Sequence, residues 1–91
     1  MSADRRQGQW RPELRRSMVL RRDRTRGADI LLMPERVVVL NETAARILRL
    51  CDGEHSVDDI VTELGQAFPG APVNAEVPTF LRQVMEAGWL R

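Results

Sequence analysis

The sequence predicts an α+β domain in which three short antiparallel strands, arranged as a meander, precede three helices. Two observations carry this. Between Met18 and Leu40 the apolar residues come in short runs, β-branched in part, broken by turn-forming residues. After Asn41 the spacing changes to the helical i, i+3, i+4, i+7 period, and the breaks become Asp52-Gly53, Pro69-Gly70 and Gly88. At 91 residues the chain suits one domain, and a chain of that size withdraws only about 60–65% of its unfolded surface from water on folding. With two Phe and two Trp, aliphatic side chains must fill the small core.

Residues 1–13 carry Gly8, Pro12 and several charges without an apolar period, which reads as a flexible, Arg-rich arm with Trp10 its one apolar anchor. Residues 14–91 form the domain. Met18-Val19-Leu20-Arg21 is the first expected strand, closed by the charged, Gly-bearing turn Asp23 to Gly27. Ile30 to Met33 is the second. Pro34-Glu35-Arg36 then turns the chain, because proline presets the φ of a turn and cannot donate to a central ladder. Val37-Val38-Val39-Leu40 is the third strand.

Ala44, Ile47, Leu48 and Cys51 share a stripe, so Asn41 is expected to cap a first helix that ends at Asp52-Gly53. Ser56 with Asp59 resembles a capping box with Asp in place of Glu, opening a second helix whose face is Val57, Ile60, Val61, Leu64 and Phe68. Asn74 is expected to cap the third, with Val77, Phe80, Leu81, Val84 and Met85 on one stripe and Gly88 as its stop. Trp89-Leu90 then folds back onto the core.

Catalysis needs convergent reactive groups, and the chain offers one cysteine and one histidine, no tyrosine and no lysine. Cys51 lies on the apolar stripe of the first helix and reads as a small hydrophobe. His55, Asp58 and Asp59 could approach a metal, yet acids at a helix start are ordinary, because they complement the helix dipole. Neither enzymatic chemistry nor a cofactor of the chain's own is expected. No apolar run approaches the roughly 18 residues that a spanning helix needs. The N-terminus lacks an apolar signal region, so the reading is cytoplasmic, without a membrane partner.

Charge is uneven: residues 1–26 hold nine Arg against three acids, and residues 27–91 five Arg against ten acids. Three strands with three helices can be a nucleic-acid-binding winged helix, and the basic start favours that alternative. The helices argue against it. Asp58, Asp59 and Glu63 in the second, and Glu76 and Glu86 in the third, would repel phosphate.

The third strand is the informative feature. Its side chains alternate between faces, so Val37 and Val39 oppose Val38 and Leu40, and both faces are apolar. Last in a meander, it is also an edge whose outward N–H and C=O groups lack partners, and no charge, proline or bulge blunts residues 37–40. Such an edge is a template for another strand. A peptide paired there would have the third helix as a second wall through Leu81, Val84 or Met85. Two alternatives stand beside this: a helix could cover the second face, or the edge could pair with its own copy in a homodimer.

Leu31-Leu32-Met33-Pro34-Glu35-Arg36-Val37, then Leu40-Asn41-Glu42-Thr43-Ala44, Ile47-Leu48 and Cys51-Asp52-Gly53, resemble the PqqD family of peptide chaperones in pyrroloquinoline quinone (PQQ) biosynthesis. Ser56 to Val61 and Phe80-Leu81 are similar to it too, so the likeness runs from about Pro12 to Leu90. It implies a winged-helix-like domain that binds the ribosomal precursor peptide PqqA and presents it to PqqE, a radical S-adenosylmethionine (SAM) enzyme whose cofactors are its own. It also implies that the peptide pairs with the third strand beside the third helix, here Arg36, Val37, Val38, Val39 and Leu40 facing that helix.

Overall fold

The computed structural model describes residues 10–91. An antiparallel meander of β1 (Val19–Asp23), β2 (Ala28–Leu32) and β3 (Val37–Leu40) is followed by α1 (Glu42–Arg49), α2 (Val57–Ala67) and α3 (Val73–Glu86). This is the α+β order that the periodicity implies. The first two strands sit differently from expectation, β1 running on through Arg22 and Asp23 and β2 beginning at Ala28. The reason is ionic. Asp29 points to the helical side of the sheet, almost buried, and its carboxylate accepts from Arg22 of β1 (3.4 Å) and Arg49 of α1 (2.5 Å). Paired charges thus occupy an inward position where an apolar side chain would be expected.

The caps of the first two helices follow local chemistry. Asn41 accepts the Ala44 N–H at 2.7 Å. Ser56 Oγ accepts the Asp59 N–H at 3.1 Å, and the Asp59 carboxylate accepts the Ser56 N–H at 2.9 Å, a complete capping box. The cap expected at Asn74 is corrected: α3 starts two residues earlier, with Pro72 at the cap position and no side-chain bond, and Asn74 lies inside the first turn. Proline's fixed φ already suits entry into a helix. Pro78, sixth in α3, lacks the N–H that would reach back to Asn74, and the helix continues through it.

The core lies between the inward face of the sheet and the helices. Leu31 and Leu40 meet Ile47, Leu48, Ile60, Leu64, Val77, Leu81 and Leu90 there. Of the expected arm, residues 1–9 lie outside the described residues, whereas Pro12 and Glu13 belong to the folded body. Pro12 is buried, and residues 12–15 thread between the α1–α2 loop and the C-terminus. Leu14 donates to the Cys51 carbonyl, Gly53 to that of Pro12, and Glu13 and Arg91 exchange both main-chain bonds at 3.0 and 2.8 Å. Gly53 has φ of 82°, and a Cβ there would lie 3.3 Å from Glu13 Oε1, so glycine meets two demands of this clamp.

Cys51 is buried beneath the clamp and its thiol donates to the Ile47 carbonyl at 3.3 Å. Burial, and secondarily the Asp52 charge, push its pKa up to about 12. A raised folded pKa means that this thiol's contribution to stability is complete below its unfolded value near 9 and is lost as pH rises toward 12. Native protein at pH 8 is expected to resist thiol reagents until denatured, and its melting temperature to fall between pH 9 and 11 by several degrees more than that of Cys51→Ala. Equal alkaline slopes for the two proteins would contradict this.

Candidate functional site: the free edge of the third strand

β3 has β2 on one side and, among the described residues, no strand on the other. Its orientation follows from register. Met33 N–H donates to the Arg36 carbonyl at 2.9 Å, which makes these two a hydrogen-bonded pair of the hairpin. Antiparallel pairs alternate, so Leu31–Val38 and Asp29–Leu40 are hydrogen-bonded pairs as well, while Leu32–Val37 and Ile30–Val39 are not. The N–H and C=O groups of Val37 and Val39 therefore point away from β2, along the open edge. Val38 and Leu40 turn their side chains toward the helices, half-buried and buried, whereas Val37 and Val39 are 50% and 54% exposed on the opposite face.

The helical layer lies on one side of the sheet: Leu20, Leu31, Val38 and Leu40, all on the same face, are the apolar strand residues that meet it. Among the described residues, then, no helix covers the second face. A hollow lies beyond each end of β3, with α3 or the segment after it on one wall. At the end of β3, a hollow of about 280 Å³ is lined by Asn41, Thr43, Ala44 and Ile47 from one wall and by Val73, Glu76, Val77 and Phe80 from α3. At the start of β3, one of about 330 Å³ is lined by Met18, Met33, Pro34, Glu35 and Arg36, with Ala87 and Trp89 opposite.

The expected site residues separate into groups. Arg36 lines the hollow at the hairpin turn, and Val37 to Leu40 form the edge. Leu81 and Val84 are 1% and 5% exposed and belong to the core. Met85 lines a different hollow, of about 390 Å³, with Trp10, Val57, Asp58, Pro78, Leu81 and Arg82. The α3 residues that line the hollow at the end of β3 are Val73, Glu76, Val77 and Phe80, of which Val77 and Phe80 stood in the expected stripe but were not assigned to the site. Met18, Met33 and Trp89 were not signalled, because each comes from a separate stretch of chain. Two of the three residues considered for metal have other partners: Asp59 caps α2, and the His55 ring lies 3.0 Å from the Asp52 carboxylate, whose hydrogen bond raises the histidine pKa. No helix of the described residues is long and apolar enough to cross a membrane.

Comparison with known proteins agrees with this architecture. Residues 30–90 match the family described as Coenzyme PQQ synthesis protein D (PqqD). The chain is 40% identical to a PqqA binding protein of Pseudomonas putida, over 94% of this chain and 88% of that protein. It is 39% identical to one from Methylococcus capsulatus, over 68% and 67% respectively. Among solved structures, the solution structure of the PqqD truncation of Methylobacterium extorquens PqqCD is similar, with a TM-score of 0.71 and 33% identity over 88% of this chain and 87% of that one. That protein is described as a functional, stand-alone recognition element for ribosomally synthesized and post-translationally modified peptides. By sequence, by strand and helix order and by three-dimensional similarity, the chain belongs to the PqqD family.

Proposed function

We infer that this chain binds a ribosomally made precursor peptide, PqqA or a close counterpart, by adding it as a fourth strand to β3, and presents it to a PqqE-type radical SAM enzyme. The observation that carries this reading is the open edge at Val37 and Val39, with a hollow beyond each end of β3. Strand addition draws affinity from main-chain bonds and selectivity from pockets for alternate side chains; the outward groups of Val37 and Val39 support the first, and the hollows beyond the ends of β3 support the second. The relatives named PqqA binding proteins support the choice of guest. Work of this kind needs no reactive group in the chain, which agrees with the buried thiol of Cys51 and the pairing of His55 with Asp52.

Titration of ¹⁵N-labelled protein with PqqA is expected to move the amide signals of Val37 to Leu40 and of Phe80 in a saturable way. Absence of binding at high protein concentration, or shifts confined to other elements, would refute the reading. Phe80→Ala should weaken binding about tenfold, equivalent to about 1.4 kcal/mol, while Met85→Ala should change it less than twofold, because Met85 opens onto a different hollow. Equal losses would move the second wall of the site to the other flank of α3. Self-pairing of β3 would show as a dimer in sedimentation that dissociates as peptide is added.

A further inference from the structure

On the helical side of the sheet, Arg22, Asp29 and Leu40 form a cross-strand row, one residue from each strand, at the end away from the Pro34 turn. With Glu42, Arg46 and Arg49 of α1 they line an open hollow of about 560 Å³. Three guanidiniums, each about half-exposed, meet there. The buried Asp29 carboxylate accepts one N–H of Arg22 and one of Arg49, and Arg22 gives a second to the Gly27 carbonyl at 3.2 Å. A guanidinium carries five N–H groups, so among the described residues both arginines keep several without a partner. Arg46 keeps all of its own. Glu42 lies 3.9 Å from it, beyond hydrogen-bond distance, and is 74% exposed, while the Phe68 ring meets the guanidinium through its face at 5.6 Å. We propose that this cleft binds a small dianion, a phosphate ester or a dicarboxylate, between the forks of Arg22, Arg46 and Arg49.

Charge selects this class of ligand. Three guanidiniums against the carboxylates of Asp29 and Glu42 leave one positive charge over, and a second appears when an anion displaces Glu42. An exposed ion pair at that distance contributes little, so the displacement costs little. Asp29 is enclosed by the fold and stays in place. Neutralising it takes one guanidinium, so a purely structural role leaves the other two unexplained. Guanidinium forks match phosphate and carboxylate oxygens alike, with two parallel N–H bonds to each group. The volume also suits a small molecule, whose sites commonly span about 300–1,000 Å³. Apart from Leu40, the cleft shares no residue with the open edge of β3, so it stands whether or not a peptide pairs there.

The test is titration of the ¹⁵N-labelled full chain with sodium phosphate and, separately, sodium succinate, at one slightly alkaline pH and with ionic strength held constant by sodium chloride. Saturable shifts are expected at the amides of Asp29, Arg46 and Arg49. A response to phosphate alone assigns a phosphate ester, a response to succinate alone a dicarboxylate, and either supports the cleft, as does a response to both. Drift without saturation, or shifts confined to other residues, would overturn the proposal. Arg46→Gln should weaken binding about tenfold, the loss of one hydrogen bond from a charged donor. Glu42→Gln should tighten it about threefold by removing the competing carboxylate. Arg24→Gln removes the same charge from the β1–β2 turn, outside the cleft lining, and should change affinity less than about twofold. Equal losses from Arg24→Gln and Arg46→Gln would mean diffuse attraction and would also overturn the proposal. If Arg46→Gln melts more than about 5 °C below wild type, Glu42→Gln decides, tighter binding supporting the cleft and unchanged or weaker binding overturning it.

Discussion

Val39→Pro is expected to weaken binding of the precursor peptide at least tenfold while leaving the melting temperature within a few degrees of wild type, and Val38→Pro is expected to unfold the sheet. The two positions are neighbours, and their difference is register alone. The Val38 N–H points toward Leu31 inside the β2–β3 ladder, so proline there removes a native bond and leaves a carbonyl of the central strand without its partner. The Val39 N–H points outward. Proline at an edge strand is tolerated when its missing donor faces solvent, so the fold keeps its bonds. The peptide loses a donor, and the pyrrolidine ring occupies the place where its main chain would lie. Arg24→Ala, in the β1–β2 turn, should change binding less than twofold. Circular dichroism, thermal melting and peptide titration of the three variants check this order. If Val39→Pro binds like wild type, the peptide does not use this edge. If Val38→Pro folds and only Val39→Pro melts, the assignment of outward groups is reversed.

This distinction was not legible in the sequence, which shows an apolar run and leaves open which of its N–H groups are spoken for. That depends on the Met33–Arg36 bond across the turn. What was legible was local. Pro34 and Asn41 bracket β3 so closely that its bounds follow from turn and cap chemistry, and the Ser56–Asp59 box can be read from two side chains three residues apart. Non-local chemistry escaped. Asp29 is tolerated inside β2 because Arg49, twenty positions later, returns to it on α1. Phe80 and Met85 both lie on the apolar side of α3, and only the placement of α1 and α2 decides that Phe80 faces the hollow beside α1 and Met85 a separate one beside α2.

The clamp at the chain ends escaped for the same reason, since main-chain bonds leave no side-chain pattern, and it yields the second large effect. Leu90→Ala is expected to lower stability by about 2–5 kcal/mol, the range for removing a fully buried leucine. Leu90 is 0% exposed, packed in the core, and its backbone bridges Leu14. Chains of this size have a total stability of roughly 5–14 kcal/mol at about 0.05–0.15 kcal/mol per residue, so the loss is a large share of the whole. It should lower the melting temperature by more than 10 °C, at about 4–8 °C per kcal/mol for a domain of this size. Arg91→Ala is the contrast. Its main chain makes both clamp bonds to Glu13, but its side chain contributes only a half-exposed ion pair at 3.3 Å, and such pairs are worth about 0–1 kcal/mol. A melting temperature within 3 °C of wild type for Arg91→Ala, beside a drop above 10 °C for Leu90→Ala, would show that the clamp holds through backbone and core. Near-equal effects would instead mean that the terminal segment is peripheral and that α1 to α3 close the core without it. Hydrogen exchange separates the cases further. Leu90→Ala should speed exchange at Glu13, Leu14, Arg15, Gly53 and Arg91, the amides that donate across the clamp, before it reaches β2.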